Sequence, residues 1–342
     1  MIKLASVDQC SGCMSCVQSC VKQCIVIHKT EQGHLYPVID KERCISCKKC
    51  QQACPILHVN SFQYPQKAYA VWSLDEEDRK RSSSGGAAAE FYHAALTKGF
   101  WICGAEYTEQ FHVVHTLTKE QHKIEKFRQS KYVYSEIGNI FKKVKRKLDD
   151  KESVLFISLP CKVAGLRNYL GKEYKNLVTV DIVCHGTPAY QPLYQHIQHC
   201  QGKGVAKRLR FRQDNEFFFW LTDENKTLYK KTGRQDTYLA AFLEGLNYRP
   251  SCYKCPYAKP ERISDLTIGD FWGIGVEVPF KHPYTGAISA VLVNTEKGKN
   301  FFYDCCVGVT IDWDGVIHSK DENWKEKIML LKWRICIEQK IW

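Results

Sequence analysis

The stretch from residue 10 to residue 55 reads Cys10-Ser-Gly-Cys13-Met-Ser-Cys16-Val-Gln-Ser-Cys20 and, after a spacer, Cys44-Ile-Ser-Cys47-Lys-Lys-Cys50-Gln-Gln-Ala-Cys54-Pro55. Both halves have the spacing C-x2-C-x2-C-x3-C. Three cysteines at this spacing let one tight loop present three thiolates to a single centre, while the fourth cysteine points away from it. The stretch therefore predicts a small domain built around two metal centres, each of which takes its fourth thiolate from the opposite half.

This double pattern is that of a bacterial two-cluster ferredoxin, and it predicts two 4Fe-4S clusters. The expected ligands are Cys10, Cys13, Cys16 and Cys54 for the first cluster, and Cys44, Cys47, Cys50 and Cys20 for the second. Structural zinc is the alternative, but zinc sites usually supply separated C-x2-C pairs rather than triplets. Val21 stands where the first run normally has a proline. Because residue 21 is not a ligand, the segment still predicts an electron-carrying domain.

The overall composition predicts a cytoplasmic globular protein with more than one domain. The 342 residues are 44% hydrophobic and 25% charged, which is ordinary for a globular protein. No stretch approaches the ~20 apolar residues that a membrane-spanning helix needs, and residues 1–10 do not resemble a signal peptide. With 18 cysteines and no export signal, the sequence favours metal ligation in a reducing cytoplasm over disulfides.

The formal net charge of +12 does not by itself indicate nucleic-acid binding. Three clusters would offset roughly six of those charges, and the pyrophosphate of a flavin dinucleotide would offset about two more. The basic run at residues 142–147 falls on a predicted amphipathic helix, where it is either a solvated face or a docking patch for an acidic electron-transfer partner. The sequence therefore predicts protein and small-molecule partners, without nucleic acid.

The order of predicted elements indicates an α/β protein (α+β overall). Residues 1–60 form the dicluster ferredoxin-type domain, and residues 66–342 form a larger domain with a helix-covered mixed sheet, divided into 66–150 and 151–342. Two strand–helix units, beginning at Val154 and Leu177, predict neighbouring parallel strands. The pattern also predicts a hairpin over residues 207–229 and a C-terminal helix at residues 323–337.

Four further cysteines form a second candidate metal site: Cys161, Cys184, Cys252 and Cys255. Cys161 and Cys184 each follow a predicted parallel strand directly, and ligands bind beyond the carboxyl ends of such strands. Taken singly, either could be an ordinary buried thiol. That reading fits Cys252 and Cys255 poorly, because they lie in a polar loop flanked by proline.

A Ser/Gly loop, Ser83-Ser84-Gly85-Gly86, precedes a predicted helix that begins at Ala87. Serine caps a helix start well, and glycines let backbone N–H groups approach an anion closely. The loop is either a phosphate cradle, aided by Arg79 and Arg81, or a capped loop that binds nothing. The residues alone leave both readings open.

Six motifs in order give the chain a resemblance to a known family. They are RSSSGG (81–86), QSKYVYSEIG (129–138), SLPCKVAGL (158–166), DIVCHGTP (181–188), RPSCYKCPYAK (249–259) and SDLTIGDFWGIG (264–275). Together they resemble the coenzyme F420 hydrogenase/dehydrogenase beta-subunit family over roughly residues 66–300. Many bacterial members of that family also carry an N-terminal ferredoxin module.

The resemblance implies that the larger domain binds FAD and a third 4Fe-4S cluster, the latter on the four cysteines of the second metal site. The implied flavin contacts are Ser83, Ser84, Gly85, Gly86, Ser130, Lys131, Tyr132, Gly269 and Asp270. Two residues are candidates for catalysis. Lys131 would place positive charge near the flavin, unless it is an ordinary surface lysine. His185 would donate to cluster sulfur or relay a proton, unless its role is structural.

These features predict an iron–sulfur flavoprotein oxidoreductase that passes electrons between clusters and a two-electron hydride partner, with coenzyme F420 as an expected substrate. The alternatives are a ferredoxin-dependent reductase of another organic substrate and a non-catalytic electron-transfer subunit. The expected partners are a redox protein such as ferredoxin, or another oxidoreductase subunit, and a small-molecule hydride donor or acceptor. The remaining cysteines are interpreted as structural thiols: Cys24, Cys103, Cys200, Cys305, Cys306 and Cys336.

Overall fold

The computed structural model describes residues 2–213, 216–224, 226–275 and 286–305, together with the backbone of residues 309–311. The N-terminal domain has two matching halves. Its elements are α1 (Ser15–Ser19), β1 (Ile25–Lys29), β2 (Leu35–Ile39) and α2 (Lys49–Gln52), with β1 and β2 antiparallel. Each helix begins directly after a residue in the left-handed region, Met14 at φ 60° and Lys48 at φ 62°. These residues hold equivalent places in the two cysteine runs, so both loops turn in the same way.

The larger domain begins with β3 and contains a mixed sheet covered by helices, as predicted. Its strands are β3 (Lys67–Ser73), β4 (Trp101–Tyr107), β5 (Val113–Thr118), β6 (Ser135–Glu136), β7 (Val154–Ser158), β8 (Leu177–Ile182), β9 (Arg208–Gln213), β10 (Glu216–Thr222), β11 (Thr227–Thr232), β12 (Leu266–Asp270), β13 (Ser289–Val293) and β14 (Val309–Ile311). Within the described residues the main sheet has the order β14-β3-β13-β12-β8-β7-β4-β5-β6. The predicted parallel pairing of β7 with β8 is confirmed, and β12 pairs parallel to β8 on the other side.

Helices cover both faces of this sheet. The α-helices of the larger domain within the described residues are α3 (Glu76–Arg81), α4 (Ala87–Thr97), α5 (Lys123–Phe127), α6 (Ile140–Asp149), α7 (Pro160–Leu170), α8 (Tyr190–Cys200), α9 (Thr237–Leu243) and α10 (Glu296–Cys305). Of these, α8 and α9 pack with β9 and β10. Alternate residues of the central strand β7 enter opposite cores. Leu155 and Ile157 pack with α4 and α10, while Val154 and Phe156 pack with α6 and α7.

The predicted hairpin is part of a second sheet, in which β9, β10 and β11 run antiparallel in the order β11-β10-β9. Its turn is closed where the Asp223 side chain accepts a hydrogen bond from the Lys226 N–H at 2.7 Å. Short helix α3 was not predicted from sequence. The predicted C-terminal helix at 323–337 lies outside the described residues.

None of the helices in the described ranges combines the length and the apolar character needed to cross a lipid bilayer.

Candidate thiolate clusters and cofactor cavity

The structure brings together the four cysteines expected to bind the first cluster. Cys54, which comes from the second run, acts electrostatically on Cys10, Cys13 and Cys16. Burial, together with neighbouring Cys10 and Cys54, raises the pKa of the Cys13 thiol to about 12. Thiols crowded in this way ionise only when a cation compensates their charge. The donor set therefore fits an iron–sulfur cluster.

The second expected set lies nearer the surface. Cys20, Cys44, Cys47 and Cys50 line one small void, and Cys47 is exposed. Cys24 lines the same void, with its Sγ 3.4 Å from the Sγ of Cys20. Cys24 is thus a neighbour of these candidate ligands, and its interpretation as a structural thiol stays a prediction. Its spacing of four residues after Cys20 is the only signal that the sequence offers.

The four cysteines of the third candidate site line one cavity of about 110 Å³. Cys161 opens α7 at the carboxyl end of β7, and Cys184 follows β8. Cys252 and Cys255 come from a 3-10 turn, Pro250–Lys254, and the residue after it. Burial raises the pKa of the Cys184 thiol well above its ordinary value, and the other three thiols raise it further. Four converging thiols suit the cationic iron–sulfur core of a 4Fe-4S cluster, which binds them as thiolates.

A larger cavity of about 580 Å³ opens at the carboxyl ends of β7, β8 and β12. This volume falls in the range of cofactor sites, roughly 300–1,000 Å³. Among its lining residues are all but one of the predicted flavin contacts: Ser83, Ser84, Gly86, Ser130, Lys131, Tyr132, Gly269 and Asp270. Gly85 is the exception. A Cβ atom there would lie 2.3 Å from the Val71 carbonyl oxygen, so this glycine is needed where the loop packs on β3.

The Ser/Gly loop leads into the N-terminal end of α4, and Ala87, Ala88 and Ala89 also line the cavity. The Ser83 hydroxyl accepts a hydrogen bond from the Ser130 N–H at 2.7 Å, which joins the two predicted flavin-binding stretches. Neither Arg79 nor Arg81 lines the cavity, because both belong to α3. The expectation that these arginines aid a phosphate cradle is therefore not supported.

Two other arginines, Arg128 and Arg212, line the cavity instead, and Arg128 lies nearest in sequence to Ser130. Its guanidinium forms ion pairs with Asp78 and, at 2.6 Å, with Glu125. Much of its charge is thus already compensated within the protein. Sequence reasoning missed it because the relevant arginine lies beside Ser130, rather than in the Ser/Gly loop.

Lys131 lies against the C-terminal end of α5. Its Nζ donates to the backbone carbonyls of Arg128 at 2.7 Å, Gln129 at 3.2 Å and Phe127 at 3.3 Å. Burial lowers the pKa of Lys131 to about 7, opposed by the carboxylate of Glu106. The amine therefore lines the cavity with a proton affinity suited to exchange near neutral pH.

His185 lines both the third thiolate cavity and the large cavity. Its Nδ1 contacts the Tyr248 hydroxyl, which donates its own proton to the Phe242 carbonyl at 2.6 Å. Since the tyrosine proton is used in that way, Nδ1 is the donor to the tyrosine oxygen. Cys184 lines the two cavities as well, so the third thiolate site and the large cavity share a wall.

His115 is a cavity residue that sequence reasoning missed. Its Nδ1 donates to the Glu136 carbonyl at 3.1 Å, and its Nε2 accepts from the Ser158 hydroxyl at 2.8 Å. Burial, together with nearby Lys162, lowers the pKa of His115 to about 3. The imidazole is therefore neutral at ordinary pH. A single histidine within a strand gives no sequence signal of such a position.

Aromatic rings and one ion pair form another part of the cavity wall. Tyr132 stacks on Phe242, with ring centroids 4.2 Å apart. Asp270 accepts from Arg212 at 2.6 Å, and the guanidinium carbon lies 4.7 Å from the Phe217 ring. The wall thus offers flat apolar surface with fixed polar groups beside it, which is how proteins commonly hold a planar ligand.

Comparisons with known proteins agree with this organisation. Residues 151–312 match the family model for the C terminus of the coenzyme F420 hydrogenase/dehydrogenase beta subunit. Residues 9–56 and 36–105 match two models described as 4Fe-4S dicluster domains, which overlap over the second cysteine run. No curated protein matches the chain. A chain of the F420-reducing [NiFe] hydrogenase complex from Methanosarcina barkeri shares the fold, with a TM-score of 0.53 and 17% identity over 81% of this chain and 91% of that chain.

Proposed function

We propose that this chain, which matches the coenzyme F420 hydrogenase/dehydrogenase beta-subunit family over residues 151–312 and 4Fe-4S dicluster domains at its N-terminal end, is a flavoprotein oxidoreductase. In this proposal three 4Fe-4S clusters connect a one-electron protein partner to a hydride donor or acceptor at FAD. Coenzyme F420 is the proposed hydride partner. The proposed compartment is the cytoplasm, which suits a chain so rich in thiols.

The observation that carries the proposal is the continuous order of the sites. The second thiolate set is nearest the surface, through Cys47, and shares its domain with the first set. Cys13 of the first set acts electrostatically on Cys161 of the third set. The third set in turn shares Cys184 and His185 with the wall of the large cavity. Such an order suits stepwise electron movement between the protein surface and the cavity.

The residues of the large cavity have separate roles in the proposal. FAD, when bound, supplies the conversion between a hydride and single electrons, which clusters alone cannot perform. The N-terminal end of α4 and the Ser83–Ser130 connection would hold its phosphates. Lys131 would hold a proton or a positive charge at Nζ beside the reacting ring. Gly269 and the Asp270–Arg212 pair would close the side nearest the third thiolate site.

Protein partners follow from the same arrangement. We propose that a ferredoxin or another oxidoreductase subunit exchanges electrons at the surface set. The match to a chain of a hydrogenase complex favours a second candidate function, that of a non-catalytic electron-transfer subunit. A ferredoxin-dependent reductase of another organic substrate uses the same chain of sites, with a different occupant of the cavity.

Anaerobic purification with iron, sulfide and flavin quantitation tests the proposal. We expect about twelve irons per chain and one FAD, with reduction by dithionite and by reduced coenzyme F420. Cys184→Ser should lower the iron count by about four, whereas the control Cys103→Ala, at a buried thiol that lines none of the three sites, should leave it unchanged. About eight irons without flavin would contradict the flavoprotein proposal and favour the non-catalytic electron-transfer function. Full loading with no response to coenzyme F420, tested beside NADH, would favour the reductase of another organic substrate.

A further inference from the structure

Two cations are buried between the first and third thiolate sets. Lys162 and Arg249 are each only 1% exposed. Lys162 directly follows Cys161 at the start of α7, and Arg249 directly precedes the turn that carries Cys252. Neither residue lines the large cavity, and the proposed flavin chemistry uses neither of them. Their positions therefore call for a separate explanation.

Both cations lie on the ring of Tyr134, whose hydroxyl donates to the Gly12 carbonyl in the first cysteine loop at 2.6 Å. Lys162 Nζ is 4.5 Å from the ring centroid, and the Arg249 guanidinium carbon is 5.5 Å from it. Lys162 also donates to the Ser135 carbonyl. The ring and the two cations thus form one buried group.

Arg249 reaches into the N-terminal domain. Its Nη1 donates to the Cys10 carbonyl at 3.0 Å, and its Nη2 donates to the Leu35 carbonyl. A Cβ atom at Gly12 would lie 2.6 Å from Nη2, so the cysteine loop is shaped around the guanidinium. Burial raises the pKa of the Cys10 thiol, and the positive charge of Arg249 opposes that rise.

Lys162 faces two thiolate sets together. It is electrostatically coupled to Cys161 of the third set and to Cys13 of the first set. Gly165, one turn further along α7, lets Cys13 approach, because a Cβ atom there would lie 3.0 Å from the Cys13 Sγ. The ammonium group is therefore held where the two sets come nearest to each other.

The described carboxylates do not compensate this charge. Within the described part of the chain, no carboxylate forms an ion pair with Lys162 or Arg249. Glu136 influences Lys162 electrostatically, but its side chain is 43% exposed and lies 3.4 Å from His112. Burying two cations without anionic partners is strongly unfavourable. The cysteines of the two sets on either side become anionic when they bind a metal as thiolates.

We propose that Lys162 and Arg249 are the fixed counter-charge of the first and third clusters and raise the reduction potentials of both relative to the surface cluster. This inference rests on the proposed function, since it requires clusters at both sites. One-electron reduction of a cluster adds one negative charge to it, and a buried cation nearby favours that charge. An electron that enters at the surface set is thereby favoured at the two inner sites, next to the cavity.

The test is a redox titration of the iron-loaded protein followed by electron paramagnetic resonance. Lys162→Met removes the charge and keeps the length of the side chain, while Lys162→Arg keeps the charge. Lys172→Gln, on the exposed loop after α7, is the matched control for losing one positive charge. In Lys162→Met we expect the equilibrium constant for reduction of each inner cluster to fall at least tenfold. This corresponds to a reduction potential lower by 59 mV for a one-electron couple. Arg249→Gln should affect the first cluster most.

Wild-type protein in which all three signals titrate establishes the premise, and its iron content tests the proposed function separately. Unchanged potentials in Lys162→Met, or an equal shift of all three clusters, would overturn the inference while leaving the function intact. A shift of the inner-cluster potentials in Lys162→Arg as large as that in Lys162→Met would also overturn the inference, because the positive charge is kept in Lys162→Arg. Loss of iron from Lys162→Met with full loading of Lys162→Arg would support it, because the charge is then what the site needs. Loss of iron from both Lys162→Met and Lys162→Arg would overturn the inference, because the shape of the lysine side chain, rather than its charge, would then be what the site requires.

Discussion

Gly165→Ala is expected to change the stability of the protein in opposite directions with and without iron. Gly165 lies inside α7, where alanine is favoured over glycine by about 1 kcal/mol. The new Cβ would, however, lie 3.0 Å from both Cβ and Sγ of Cys13 and 3.4 Å from Cε2 of Phe141. Optimal contacts between such atoms are about 3.5–4.0 Å. The helix or the cysteine must therefore move by about half an ångström.

A cluster ligand has no freedom to make that movement. With iron bound, the overpacking cost of about 1–3 kcal/mol exceeds the gain in helix propensity, and the expected net loss is about 1 kcal/mol. Without iron, the Cys13 side chain can turn away, and the gain of about 1 kcal/mol should remain. The ligand role of Cys13 is thus reported by the sign of a stability change.

The assay is anaerobic guanidinium unfolding of wild-type and Gly165→Ala protein, each loaded with iron and depleted of it. Gln195→Ala compared with Gln195→Gly, at an exposed position inside α8, measures the propensity difference alone. Stabilisation of the iron-loaded protein by Gly165→Ala would refute the reasoning. Such a result would mean that the Cys13 side chain can move away from the new Cβ atom and is not held by a cluster.

Three further outcomes are expected. The pKa of His115, about 3 in the folded protein, lies below the ordinary value of about 6.5, so the unfolded chain binds a proton that the folded chain does not. Stability should then fall as the pH falls below about 6.5, by up to about 1.4 kcal/mol per unit, and His115→Asn should flatten this slope in unfolding curves measured from pH 7 to pH 5.5. Ser83→Ala removes the acceptor for the Ser130 N–H and should weaken FAD binding about fivefold, as expected for one hydrogen bond of about 1 kcal/mol, in fluorescence titrations; unchanged affinity would separate the loop from the flavin. Gly85→Ala places a Cβ atom 2.3 Å from the Val71 carbonyl oxygen and should cost about 3 kcal/mol or more, whereas Gly99→Ala meets no neighbouring atom within 4 Å and should cost only its backbone strain.

Local spacing made the N-terminal domain predictable. Each cysteine run specifies its own loop, and the crossing of Cys20 and Cys54 follows from two runs of equal length. Cys161 and Cys184 were also within reach of sequence reasoning, because consecutive parallel strands end at the same edge of a sheet. The C-x2-C spacing of Cys252 and Cys255 in a polar loop marked them as candidate ligands, and the family resemblance supported their grouping with Cys161 and Cys184. Cys252 and Cys255 come close to Cys161 and Cys184 because the chain that follows the second sheet runs back to the carboxyl ends of β7 and β8.

The misses share one physical cause, since they involve residues whose partners are distant in sequence. Arg79 and Arg81 precede the Ser/Gly loop, which made them candidates to aid a phosphate cradle, but they lie on α3 and do not line the cavity. Arg128 reaches the cavity through the packing of α5. Similarly, the role of Gly85 depends on β3 and β13, against which it packs. A sequence motif indicates which loop is special, but the side that faces the ligand is decided by tertiary contacts.

The join between the two domains is specified by residues that the N-terminal clusters themselves do not need. Met14 is buried in the core formed by α6 and α7, and the buried Ser15 hydroxyl donates to the Gly165 carbonyl at 2.9 Å. Gly12 leaves room for the Arg249 guanidinium. A freely moving ferredoxin domain would expose these groups and vary the separation of the first and third sets. Because the same residues shape the cysteine loop and bind α7, packing fixes the distance that electrons must cross.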